Sequence, residues 1–116
     1  MLAKTARVTT ADEYRAAVRR GARFAAPTSV TYVRQNGDAP ARFGFIVSKA
    51  VGVAVQRNRV RRRLKAICYA LQSTVAPGTE IVIRALPSAA TSTFDDLSTD
   101  VARSLARAKV LLQVTA

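Results

Sequence analysis

Residues 57–65 read Arg-Asn-Arg-Val-Arg-Arg-Arg-Leu-Lys. Six of these nine side chains are cationic, and the two apolar ones, Val60 and Leu64, stand four apart. A disordered basic tail has no need of that spacing. A helix that buries one side and presents cations on the others does. The stripe continues through Ile67, Cys68 and Leu71, at i+7, i+8 and i+11 from Val60. The run therefore predicts an amphipathic helix docked on a core. Gly52 opens the loop leading into it, and Pro77-Gly78 closes the segment.

On a helical wheel centred on Val60, Leu64 and Leu71, the side chains of Asn58, Arg59, Arg61, Arg62 and Lys65 point away from the core, with Arg57 and Arg63 at the edges. A merely solvated face normally mixes both signs of charge, but no acid occurs between Asp38 and Glu80. That one-signed bias points to a polyanion, with cations laid along phosphates and counterions released. Asn58 reads two ways: as a group for a base edge or ribose hydroxyl, or as a helix cap or first-turn residue.

The flanks supply the rest of a fold. Thr10-Ala11-Asp12-Glu13 has capping-box spacing and predicts a helix from about Ala11 to Arg20, with Gly21 as its stop. Tyr14, Ala17 and Val18 share one face of it. Residues 28–35 are β-branched and aromatic and read as a strand. Asn36-Gly37-Asp38 is a turn signal, so residues 41–48 are expected to return antiparallel, with Phe43, Phe45 and Val47 on one face. A short extra strand is expected near Arg23-Phe24-Ala25. Residues 80–86 form a strand broken by Pro87, and Thr93 with Asp96 caps a last helix carrying Leu97, Val101, Leu105 and Ala108, which is expected to cover the sheet. These elements make an α+β, two-layer sandwich: a mixed sheet of about four strands with about three helices, in a single domain over 1–116. The strands flanking the basic helix are expected to be parallel, and the general preference is for a right-handed crossover.

The net charge is +12 and 15 of the 19 cations lie in residues 1–65, which puts the binding surface in the first two-thirds of the chain and makes nucleic acid the favoured partner. Cys68 is the only cysteine and there is no histidine. A thiolate zinc site, a disulfide framework and the commonest general base are thereby absent. No run is long and apolar enough for a membrane span, and the N-terminus lacks a signal-peptide core. A reducing cytoplasm is the expected location. Asp12, Glu13, Asp95 and Asp96 fall in first helical turns, where acids favour the amide end of a helix. No nucleophile, base and orienting group can be assembled. The chain reads as a binder, with Tyr14 and Tyr32 as candidate stacking platforms. From spacing alone, a core role for both tyrosines is the simpler reading.

The stretch Ser48-Lys49-Ala50-Val51-Gly52-Val53-Ala54-Val55-Gln56-Arg57-Asn58-Arg59-Val60-Arg61-Arg62-Arg63-Leu64-Lys65 closely resembles the signature of the bacterial ribonuclease P protein subunit. Asp12-Glu13-Tyr14, Arg20-Gly21 and Val30-Thr31-Tyr32 extend the likeness over nearly the whole chain. The resemblance implies a non-catalytic subunit of an RNA-based endonuclease, whose RNA holds magnesium and removes the 5′ leader of precursor tRNA. It implies contact with the catalytic RNA by Lys49, Arg57, Asn58, Arg59, Arg61, Arg62, Arg63 and Lys65. It implies a leader cleft between the first helix and the sheet, at Tyr14, Val18, Arg20 and Tyr32. Two departures stand out. Val18 occupies a position that is commonly aromatic in the family, and Arg7-Val8 stands for the usual Arg-Leu. The resemblance also implies a left-handed crossover around the basic helix, shared with a domain of translation elongation factor G. The expected partners are the catalytic RNA and precursor tRNA, with no membrane and no obligatory protein partner. The alternatives are a structural RNA-binding protein of ribosomal type and a duplex-DNA binder.

Overall fold

A computed structural model describes residues 2, 6–35 and 37–112. Its elements are α1 (Ala11–Arg20), β1 (Ala22–Ala25), β2 (Ser29–Gln35), β3 (Arg42–Ile46), α2 (Ala54–Leu71), β4 (Thr79–Ala85) and α3 (Phe94–Arg107). The short expected strand is β1, and the mixed four-stranded sheet with three helices is present. The strand order is β1-β2-β4-β3.

That order corrects the expected hairpin. β2 does not pair with β3. β4 lies between them, antiparallel to β2 and parallel to β3, so the strands flanking α2 are parallel as expected. The Gly37-Asp38 part of the turn signal is an exposed bend, and Asn36 falls outside the described residues. The physical reason lies in burial. Ile81, Val82 and Ile83 of β4 are all fully buried, and a strand apolar on both faces belongs at the centre of a sheet.

Strand alternation sorts the core into two clusters. Val30 and Tyr32 of β2, Val82 of β4, Ala17 of α1 and the preceding Val8 form one. The other face carries Phe43, Ile81 and Ile83 against Val60, Leu64, Ile67 and Cys68 of α2 and Leu97, Val101 and Leu105 of α3. α1 therefore covers the face opposite α2 and α3, and α3 covers β1 and β2. Each large side chain in these clusters contributes roughly 1.5–3 kcal/mol by leaving water. Burial also pushes the Cys68 thiol up, leaving it a packing group.

The helix ends follow their local chemistry. Thr10 Oγ1 accepts from Glu13 N–H at 3.1 Å, and Glu13 Oε1 accepts from Thr10 N–H at 3.1 Å, the capping box expected. α1 ends where Gly21 N–H donates to Ala17 O at 2.9 Å. α2 starts after Gly52, whose φ of 151° lies in glycine's territory. Gln56 Oε1 then accepts the Val53 N–H at 3.1 Å. α2 stops at Leu71 and runs through a single tight turn over Gln72–Thr74 before Pro77. Thr93 caps α3 by accepting from Asp96 N–H at 3.0 Å.

Two polar joints, one buried and one partly buried, fix the layers. Asp100 of α3 accepts from both Thr28 N–H (3.1 Å) and Thr28 Oγ1 (2.6 Å), pinning α3 to the entrance of β2. Arg42 joins three segments: it donates to Arg7 O (3.1 and 2.9 Å), pairs with Glu13 of α1, and lies 3.8 Å from Glu80 of β4.

Candidate nucleic-acid interface

α2 sorts its cations by depth. Asn58, Arg62 and Lys65 are exposed, and Arg57, Arg59, Arg61 and Arg63 are half-buried. Asn58 lies in the second turn and its Oδ1 accepts from Arg61 at 3.2 Å, so its cap reading does not hold. The wheel points Arg59 outward, and here the structure differs. Arg59 donates to Ala90 O at 3.2 Å and Arg63 to Ser92 O at 3.1 Å, both on the segment that follows β4. Arg57 donates to Gly52 O at 3.2 Å. These three arginines help seat α2, while Asn58, Arg62 and Lys65 stay open to a partner. None of the ion pairs among the described residues uses a cation of α2. Lys49 is exposed in a short turn (Lys49–Val51) ahead of the helix.

A cavity of about 560 Å³ lies along the outer edge of β3. Val8, Phe43 and Phe45 give it apolar lining, Tyr14 contributes from α1, and Arg61, Arg62, Lys65 and Tyr69 contribute from α2. Arg7 also lines it. A smaller cavity of about 210 Å³ adjoins Tyr14 on the α1 side, with Arg15, Val18, Arg19 and Ile46. Tyr14 belongs to both. Its ring is held closely: a Cβ on Gly44 would stand 2.8 Å from it, so only glycine allows this approach. Its hydroxyl accepts the Phe45 N–H at 3.1 Å.

The leader residues implied by the resemblance do not all reach this groove. Tyr14 lines both cavities, and Val18, 38% exposed, lines only the smaller one. Arg20 is exposed at the end of α1 and lines neither cavity. Tyr32 is 5% exposed and packs in the α1-side core. Its ring has little free face for a base, and the core reading of this residue fits the structure. Six charged or aromatic cavity residues escaped the sequence reading of the site: Arg7, Arg15, Arg19, Phe43, Phe45 and Tyr69. Extending the wheel by one turn beyond Lys65 would have found Tyr69.

Groove, cations and aromatic together define a basic α+β protein with a cationic, aromatic-lined cleft at the edge of its sheet. The family model described as Ribonuclease P matches residues 2–109, and the chain belongs to the ribonuclease P protein family. It is 50% identical over 109 residues to the ribonuclease P protein component of Clavibacter michiganensis, covering 93% of this chain and 96% of that one. It is 39% identical over 112 residues to the protein component of Mycobacterium avium, covering 92% and 94%. Among solved structures, the Staphylococcus aureus ribonuclease P protein superposes with a TM-score of 0.84 at 25% identity, over 93% of this chain and 99% of that one. The Thermotoga maritima protein, at 20% identity and a TM-score of 0.78 over 87% and 96% of the two chains, shares the fold. The ribosomal-type alternative is not favoured by these matches.

Proposed function

We propose that this protein is the RNA-binding subunit of a ribonuclease P holoenzyme, which seats on the catalytic RNA through α2 and holds the 5′ leader of precursor tRNA in the Tyr14 groove. The observation that carries this reading is the juxtaposition of exposed Arg62 and Lys65 with the apolar groove containing Tyr14. Cations track phosphates and an aromatic ring accepts an unstacked base. Asn58, Arg62 and Lys65 contact RNA directly in this reading, joined by Arg61 and Lys49; Arg62 and Lys65, which also line the groove, serve both the catalytic RNA and the leader. Arg57, Arg59 and Arg63 act mainly by fixing the pose of α2.

Cleavage itself is assigned to the RNA. Among the described residues no group of three or more His, Cys, Asp or Glu is placed to hold a metal. Glu13 and Glu80 are engaged by Arg42, and Asp100 by Thr28. The side chains present do not fit a magnesium site, so magnesium belongs to the RNA in this reading and no step runs through the protein. The chain lowers the magnesium demand by supplying fixed positive charge and orients the substrate by its leader. The cytoplasm, where precursor tRNA is made, is the corresponding location. No helix among the described residues is long and apolar enough to cross a membrane.

Reconstitution tests the proposal. The chain is added to a ribonuclease P RNA at low magnesium, and cleavage of precursor tRNA is followed. Faster cleavage and tighter substrate binding are expected. No improvement in either overturns it.

A further inference from the structure

We propose that Tyr69 is a second stacking residue of the groove, facing the leader together with Tyr14 and supplying the aromatic surface that Val18 and the buried Tyr32 do not. The assignment rests on the leader-binding reading above.

Three observations carry it. Tyr69 is 49% exposed although the apolar stripe of its helix, Val60, Leu64, Ile67 and Cys68, is fully packed. It lies off that stripe, so packing does not account for a large aromatic here. Next, it lines the same cavity as Tyr14, which arrives from the other side of the sheet. Finally, Lys65 precedes it by four residues and Arg62 by seven, and all three line the cavity. Residues at that spacing stack along one helix face, about 5.4 Å per turn. The helix thus presents cation, cation and ring in a row along one groove. That combination holds single strands without demanding a base sequence, because phosphates meet the cations and any base has a face for the ring. A lone surface tyrosine would mean nothing. A tyrosine closing a cationic row inside an aromatic-lined groove has a ligand of defined chemistry: an unpaired nucleotide with its 3′ or 5′ phosphate on Lys65.

The test uses the reconstituted holoenzyme with Tyr69→Ala and Tyr69→Phe. Affinity is measured for precursor tRNA, for mature tRNA, and for precursors carrying one abasic leader position at a time; affinity for the catalytic RNA is measured separately. Tyr69→Ala should weaken precursor binding by about fivefold or more, leave mature tRNA and catalytic RNA unchanged, and lose its effect at one abasic position. Tyr69→Phe should behave as wild type. If Tyr69→Ala binds precursor normally while the wild type still prefers precursor over mature tRNA, the assignment is wrong and the leader reading stands. Equal weakening toward the catalytic RNA places Tyr69 on that surface and also overturns the assignment. A wild type without leader preference takes both readings down. Should circular dichroism show Tyr69→Ala unfolded, Tyr69→Leu keeps the bulk without the ring and decides by the same criteria.

Discussion

The hydroxyl of Tyr14 accepts the main-chain N–H of Phe45 at 3.1 Å, so a side chain from α1 occupies the outer edge of β3. One residue pair both satisfies a strand edge and sets the pose of the groove's aromatic ring. Tyr14→Phe should therefore separate the two roles. Loss of the acceptor should cost about 0.5–1.5 kcal/mol of stability, measured by urea unfolding. Binding of leader-bearing tRNA, for which the proposed function uses the ring, should change little. Tyr14→Ala should weaken precursor binding as well. Equal precursor affinity for Tyr14→Ala and wild type would remove Tyr14 from the leader groove.

Gly44 gives a steric test of the same arrangement. A methyl group there meets the Tyr14 ring at 2.8 Å, so Gly44→Ala should destabilise by about 1–3 kcal/mol. The cost should shrink markedly in a Tyr14→Ala background, because the clash partner is gone. Additive costs in the double mutant would show that the strain lies elsewhere.

Acid should loosen α1 through Glu13. The Arg42 guanidinium, above all, holds the Glu13 carboxyl down at about 2, with the Thr10 capping bonds adding to this. A folded value below the unfolded one, about 4.5, gives stability that is complete above pH 4.5 and is lost as pH falls toward 2. After solvent screening the effect should be about 1 kcal/mol. Urea midpoints measured from about pH 6 down to about pH 3 should fall less steeply for Glu13→Gln than for wild type. Parallel slopes would show that the pair contributes nothing.

The cations of α2 should divide into two groups. Arg62→Ala and Lys65→Ala should leave thermal unfolding of the free protein unchanged. Each should reduce the salt slope of RNA binding by roughly 0.7–0.9 for every phosphate it no longer neutralises. Arg59→Ala and Arg63→Ala should lower stability by about 1 kcal/mol, since each surrenders a tie to the segment after β4. Calorimetry and a salt titration on the same four variants read both effects. Identical behaviour across the four would erase the distinction.

Removing the buried joint under α3 should be costlier. Asp100→Ala leaves the Thr28 N–H and hydroxyl without their shared acceptor. A loss of about 1–3 kcal/mol is expected in chemical denaturation, with no specific effect on leader discrimination in the folded fraction.

Local chemistry made several elements legible. The Thr10–Glu13 box placed α1, the stripe from Val60 to Leu71 placed α2, and Thr93 placed the start of α3. The β2–β3 relation was not legible, because a turn signal reports only on neighbours in the chain. The unbroken apolar run Ile81-Val82-Ile83 was the opposing sign that β4 belongs in the middle. Site residues divided in the same way. A helical wheel gives direction but no neighbours, so it placed Arg59 in solvent while the segment following β4 came to rest beneath it. Tyr32 shows the limit of residue type: an aromatic in a strand looks the same whether the face it points to is open or covered by α1.

Arg42 ties Arg7, 35 positions earlier in the chain, to Glu80, which it meets across the β3–β4 pairing. Neither end of this tie is local. A nascent chain that has passed Arg42 but not yet made β4 has no stable seat for β3, and so none for the N-terminal segment or the Tyr14 hydroxyl. The groove is therefore a late product of folding, although Arg7, Val8 and Tyr14, which line it, precede β4 in the chain. A truncated or half-folded chain would carry the basic helix sequence without the groove, and under the proposed function it would bind RNA without selecting by leader.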